Sequence, residues 1–103
     1  MAEQGEAQDD VETKAVVARI EGRVQGVWFR GWTVMEARQR GRRGGVRNRS
    51  DGSVEALFAG PKPAVDAMLD ACWRGPPAAK VRVVKPSGGV YPRDPGFHAL
   101  PTY

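Results

Sequence analysis

Residues 22–30 read Gly22-Arg23-Val24-Gln25-Gly26-Val27-Trp28-Phe29-Arg30. In the run before it, Val16, Ala18 and Ile20 alternate with Val17, Arg19 and Glu21, the period of a strand with one face buried and one wetted. After it, Phe29, Trp32, Thr33 and Ala37 gather near one helical face, with Arg38 and Arg40 off it. The spacing predicts a helix from about Trp28 to Arg40, stopped at Gly41. A glycine-bearing loop between strand and helix leaves backbone amides free and convergent beside the positive end of the helix dipole. It suits a phosphate-sized anion. Arg30, in the first helical turn, adds a permanent planar cation able to grip two phosphate oxygens at once.

Outward from that loop, Arg42-Arg43-Gly44-Gly45 is expected to be a flexible basic connector. Val46–Asn48 and Val54–Phe58 read as strands joined by a hairpin at Ser50-Asp51-Gly52, with positive φ tolerated at both Asp51 and Gly52. Val54, Ala56 and Phe58 form the expected core face. Gly60-Pro61-Lys62-Pro63 starts a second helix, whose apolar face is expected at Val65, Met68, Leu69, Cys72 and Trp73. Gly75-Pro76-Pro77 ends it. Val81, Val83 and Val84 give a fourth strand, and Pro86-Ser87-Gly88-Gly89 opens a loop running through Pro92 and Pro95. Phe97–Leu100 is a candidate edge strand. Strand, helix, strand, strand, helix, strand, with a short terminal strand, predicts an α+β ferredoxin-like split βαβ sandwich. Its antiparallel sheet would be covered on one face by two helices.

The chain has 103 residues, enough for one domain with a modest core. Residues 1–12 carry five acids (Glu3, Glu6, Asp9, Asp10, Glu12), no base and almost nothing apolar. Such a composition buries too little surface to offset its ordering entropy. Residues 1–13 are therefore expected to be a disordered acidic tail and 14–103 the folded domain. From residue 13 onward 16 bases face 7 acids, a net charge of +9 that favours anionic partners. The start of the chain is too polar for a signal peptide and too acidic for a transit peptide, and no apolar run reaches membrane-spanning length. Cys72 stands alone, which excludes an internal disulfide and suits a reducing cytoplasm.

Two stretches resemble the signatures of the acylphosphatase family. Residues 22–30 match G-x-V-Q-G-V-x-F-R, and Gly44-Gly45-Val46-Arg47-Asn48-Arg49-Ser50-Asp51-Gly52-Ser53-Val54-Glu55 matches G-x-V-x-N-x-x-D-G-x-V-E. The resemblance spans roughly residues 14–100. It implies hydrolysis of the carboxyl–phosphate anhydride of a small-molecule acyl phosphate, with no metal or organic cofactor. Carried over by motif position, the loop amides and Arg30 hold the phosphoryl group and Asn48 orients the attacking water. The chain departs from the family at Arg40-Gly41-Arg42, where Leu-Gly-Leu is frequent, and at Gly45, where an aromatic is common. In Phe97-His98-Ala99 only the first member of the usual Phe-x-Ile closing pattern is kept.

The residues themselves are compatible with this chemistry. Phosphoryl transfer asks mostly for positioning and charge stabilisation, and a carboxylate leaves without a strong general acid. Arg30 alone could be a solvated helix-end arginine, but a cation in the first turn opposes the dipole and a bound anion would relieve the conflict. Asn48 alone could be a turn-flanking asparagine, yet it sits in phase with Val46 and offers both a donor and an acceptor. The expected substrate-binding set is Arg23, Val24, Gln25, Gly26, Val27, Trp28 and Phe29. Within it Val24 and Val27 pack, Gln25 braces the loop or contacts the ligand, Arg23 attracts substrate or is solvated, and Trp28 lines the mouth. His98 reads as a surface or packing residue and Cys72 as a buried small hydrophobe. A free-standing cytoplasmic monomer, acting without nucleic acid or membrane, is the simplest reading. Its rivals are an RNA-binding sandwich, supported by the basic Arg40–Gly45 run, and a phosphate-sensing or carbamoyl-phosphate-handling domain of a larger system.

Overall fold

The computed structural model describes residues 12–103. Most of the expected acidic tail, residues 1–11, lies outside the described residues. The folded region starts a little before the expected boundary. Glu12 already accepts a hydrogen bond from the Lys62 amide (2.8 Å), and Thr13 pairs with Pro61.

Five strands and two helices follow in the expected order: β1 (Thr13–Arg23), α1 (Phe29–Gln39), β2 (Arg43–Asn48), β3 (Val54–Pro61), α2 (Lys62–Arg74), β4 (Lys80–Gly88) and β5 (Phe97–Ala99). The sheet order is β4-β1-β3-β2-β5. The four longer strands pair antiparallel, as a split βαβ sandwich requires, and β5 adds to β2 in parallel. Alternation places Val16, Ala18 and Ile20 of β1, Val46 of β2, and Val54, Ala56 and Phe58 of β3 on one buried face. Phe29, Trp32, Thr33 and Ala37 of α1 and Val65, Met68, Ala71 and Cys72 of α2 cover that face. β5 has only three residues, so its few ladder bonds, worth about 1 kcal/mol each, hold it weakly. Burial of Phe97 adds about 1.5–3 kcal/mol, and its ring stacks on Phe58 with centroids 5.6 Å apart.

Several local expectations are corrected. Arg43-Gly44-Gly45 is the first half of β2, not a flexible connector, because it is flanked by β3 on one side and β5 on the other. Gly44 (φ 131°) lies so close to β3 that a Cβ there would sit 1.8 Å from the Leu57 carbonyl oxygen. At Gly45 a Cβ would meet Leu100 Cδ1 at 2.9 Å and the His98 carbonyl oxygen at 3.0 Å, so the β5 segment crowds this position. β4 continues through Pro86, Ser87 and Gly88, which the sequence suggested as loop. It is an edge strand, where a missing N–H is tolerated. In α2 the buried stripe runs Val65, Met68, Ala71, Cys72, which leaves Trp73 about a third of a turn off its axis and 51% exposed.

The hairpin also differs in its chemistry. Only Gly52 has positive φ (94°). Asp51 instead accepts hydrogen bonds from the Ser53 amide (3.0 Å) and hydroxyl (2.6 Å), an Asx turn that reverses the chain by side-chain capping.

Candidate active site

β1 delivers the 22–30 loop through an irregularity. Its register with β4 shifts between Glu21 and Gly22, a bulge of the kind that re-aims the end of a strand. Val24 (1% exposed) then anchors the loop in the core and Phe29 (2%) anchors the start of α1. Between them the chain turns sharply, with Gly26 at φ 74° and Trp28 at φ 69°, ψ 24°. Trp28 is the only non-glycine residue with positive φ among those described. As the residue capping α1 it supplies no side-chain cap, and no acid stands in the first turn. The first-turn amides and their share of the dipole thus have no acidic side-chain partner from within α1.

A cleft of about 300 Å³ opens here, lined by Val24, Gly26, Trp28, Phe29, Arg30, Gly31, Asn48 and Ala99. It brings Arg30, on the first turn of α1, to the same space as Asn48, the last residue of β2. Among the described residues, neither side chain has a hydrogen-bond or ion-pair partner, whereas their neighbours are tied. The Gln25 amide donates to the Arg49 and Ser53 carbonyls, both at 2.8 Å, so it joins the loop to the hairpin. Arg47 and Arg49 pair with Glu55 (2.7 and 3.1 Å). Burial works against the charge of Glu55, but the Arg47 hydrogen bond and the charges of both arginines hold its carboxyl below the usual range. The Asn48 backbone is clasped from outside, its carbonyl accepting from the Tyr103 amide (3.1 Å).

Of the residues expected at the site, Val24, Gly26, Trp28, Phe29, Arg30 and Asn48 line the cleft; Arg23, Gln25 and Val27 do not. Gln25 braces the loop against the hairpin, Val27 packs against the core, and Arg23 is exposed at the end of β1. Gly31 and Ala99 were not anticipated. Gly31 simply follows Arg30 along the helix, while no local pattern marks Ala99, which the parallel pairing of β5 with β2 brings into place. His98 sits outside the cleft, 3.4 Å from Asp94. Burial pushes the Cys72 thiol up to about 12, which makes it a packing group. Among the described residues no cluster of three or more His, Cys, Asp or Glu is placed to hold a metal ion. A second cavity, lined by Arg19, Glu21, Gly22, Asp51, Gly52, Ser53 and Arg82, differs in kind, since Arg19 pairs there with both Glu21 (2.7 Å) and Asp51 (2.6 Å).

Fold and cleft together define a ferredoxin-like α+β sandwich with an arginine–asparagine site between its first strand–loop–helix and its central hairpin. Residues 16–98 match the acylphosphatase family model. An acylphosphatase of Rhodospirillum rubrum is 53% identical over 89 residues, covering 86% of this chain and 98% of the relative. Among solved structures, the acylphosphatase from Bacillus subtilis superposes with a TM-score of 0.79 at 33% identity, covering 86% of this chain and 99% of that one. The one from Coxiella burnetii gives 0.81 at 28% identity, covering 85% and 93%. The chain belongs to the acylphosphatase family. It is an enzyme that hydrolyses acyl phosphates, with a small-molecule substrate.

Proposed function

We propose that the two halves of the cleft divide the reaction between them. The loop amides and Arg30 hold the phosphoryl group and spread its charge, and Asn48 aims water at phosphorus. The water oxygen forms the new P–O bond, the bond to the acyl oxygen breaks, and a carboxylate leaves with the bonding pair. The observation that carries this reading is the pairing pattern: Arg30 and Asn48 face one cleft with free side chains while the groups around them are committed. A cation at the positive end of a helix costs about 0.3–1 kcal/mol. Among the described residues no carboxylate pairs with Arg30 and no acid stands in the first turn of α1, so a dianionic phosphoryl group is the partner this reading supplies.

The same reading carries a cofactor-free enzyme, monomeric and cytoplasmic. No helix among the described residues is long and apolar enough to cross a membrane. The RNA-binding alternative gains little support. Phe58 faces the core, and the exposed rings of Tyr91 and Tyr103 lie under Arg43 and under Arg47 and Arg49 respectively, in place of bases.

The test is release of phosphate from acetyl phosphate in the presence of chelator, with wild type and Asn48→Ala side by side. Turnover should be abolished in Asn48→Ala while inhibition by inorganic phosphate persists. Equal loss of both, or no enzyme-dependent release by wild type, would overturn the assignment.

A further inference from the structure

β1 begins at the end of the sandwich away from the cleft, and arginines gather there. α1 ends at Gln39 and β2 begins at Arg43, so Arg38, Arg42 and Arg43 all lie toward that end. Neutral partners hold them in place. Arg38 Nε donates to the Phe97 carbonyl (3.0 Å), Arg42 Nε and Nη2 donate to the Arg40 carbonyl (2.8 and 2.6 Å), and Arg43 lies over the Tyr91 ring, 5.8 Å from its centroid. None of the three has a carboxylate partner among the described residues. The acids nearby are committed elsewhere: Glu36 to Arg40, Asp66 to Lys14 and Lys62 (2.6 and 3.0 Å), and Asp94 to His98 (3.4 Å). Arg42 is the sharpest case, since its Nη1 is buried with no hydrogen-bond partner among the described residues.

That guanidinium lies over Gly60, where a Cβ would come within 1.8 Å of Arg42 Nη1. Gly60 pairs with Lys14 across β1 and β3, and the nearby Lys62 amide donates to the Glu12 carbonyl (2.8 Å). Arg42 therefore stands beside the point where residues 1–11 join the sandwich. Those residues carry Glu3, Glu6, Asp9 and Asp10 and no base. Asp9 and Asp10 precede Glu12 by three and two residues, a span of about 10 Å at most. Both partners also stand outside the family pattern. Arg40-Gly41-Arg42 replaces the frequent Leu-Gly-Leu, and the match to the family model begins only at residue 16.

A segment so poor in apolar residues has charge rather than burial to hold it. We propose that the acidic residues 3–10 dock on the arginine end of their own chain, on Arg42 with Arg38 and Arg43, and so withhold that surface from other polyanions. The covalent link favours the chain's own segment over that of a second copy, because a short tether gives an effective concentration in the millimolar range. Ionic contacts of this kind are individually weak and screened by salt, which makes the clasp reversible.

The experiment places a nitroxide on the full chain at Ala7→Cys and reads the broadening of backbone amide signals by NMR. Cys72 is buried, so the label goes to the new thiol alone. Gly88 lies in the strand next to β1, whereas Gly44 lies two strands away on the arginine side. An undocked segment would broaden Gly88 at least as much as Gly44. Docking should instead broaden Gly41 and Gly44 more than Gly88. That asymmetry should be lost in about 1 M salt, where the screening length falls to about 3 Å. It should also be lost in a tail variant (Glu3→Gln, Glu6→Gln, Asp9→Asn, Asp10→Asn) and in Arg42→Gln with Arg43→Gln. At low salt the tail variant should bind a short single-stranded RNA about 5-fold or more tightly than wild type, the low end of coupling between two ligands. Equal broadening at Gly44 and Gly88, or an asymmetry that survives in the tail variant, overturns the docking. Broadening of a label-free chain mixed with the nitroxide-bearing one assigns the contact to a second copy and overturns the intramolecular clasp. Equal RNA binding by wild type and tail variant overturns the withholding. If the arginine variant fails to fold, the tail variant decides alone, since its substitutions all precede β1.

Discussion

The two walls of the cleft are built by different means. The loop wall (residues 22–30) is held mainly by backbone: a register shift at Gly22, positive φ at Gly26 and Trp28, and core anchors at Val24 and Phe29. The hairpin wall (residues 48–54) is held mainly by side chains: Asp51 on Ser53 and Arg19, Arg47 and Arg49 on Glu55, and Tyr103 against both arginines. Gln25 is the cross-tie between them. A shell of rigid amides is the better receiver of a fixed anion, because it does not reorganise during reaction. A side-chain network is the better support for a single amide that must be held at one angle, which is the task assigned to Asn48. The groups proposed to react, Arg30 and Asn48, are the ones left unpaired among the described residues on both walls.

That contrast can be broken at three depths. The deepest cut is Arg30, on the loop wall. Arg30→Ala should lower turnover by at least about 10²–10³-fold, by analogy with loss of an oxyanion donor. Arg30→Lys should also fail, since an ammonium does not reproduce the planar fork. Steady-state assays on both variants check this, and near wild-type turnover in Arg30→Lys would reject the bidentate grip. Next is the cross-tie. Gln25→Ala removes two neutral hydrogen bonds and should cost about 1–3 kcal/mol in denaturant unfolding, together with a drop in kcat. Gln25→Glu should be worse, because a carboxylate would face the two carbonyl oxygens without a proton to donate. Equal stability of Gln25→Glu and wild type would show that the walls hold their positions independently.

The smallest effect belongs to the hairpin tip. Hydrogen bonds from the Ser53 hydroxyl and amide, then from Arg19, hold the Asp51 carboxyl well below its ordinary value of 3.8. A carboxyl lowered in the folded state adds stability that is fully present above its unfolded value and is lost as pH falls toward the folded one. Asp51→Asn should therefore lower the Tm modestly at neutral pH, and the difference from wild type should shrink below about pH 4. Thermal melts across that range check the sign. A gap that widens on acidification would contradict the pairing.

Much of the fold is legible in the chain alone. Hydrophobic alternation places Val16, Ala18, Ile20, Val54, Ala56 and Phe58 correctly, and helical spacing finds the buried face of α1. Both rest on periods of two and 3.6 residues, which are local properties of the chain. The failures share another origin. Arg43–Gly45 resembles a linker because two glycines and an arginine carry no strand signal, and only flanking strands make those glycines necessary. Pro86 resembles a loop residue because its tolerance depends on β4 being an edge. Trp73 fits a stripe one step further round α2 than the buried one, and only docking against the sheet selects the axis.

The site divides in the same way. Its proposed chemistry, with an anion-holding loop ending in Arg30 and an asparagine ahead of an Asp-Gly turn, is written in two short segments, because free amides, a guanidinium and a carboxamide are properties of local sequence. Its assembly is not. That Gln25 ties the loop to the hairpin, that Gly31 seats Trp28, and that Ala99 arrives from the last strand depend on tertiary packing. Such contacts exist only once the core has packed and brought β2, β5 and the loop to one edge of the sandwich.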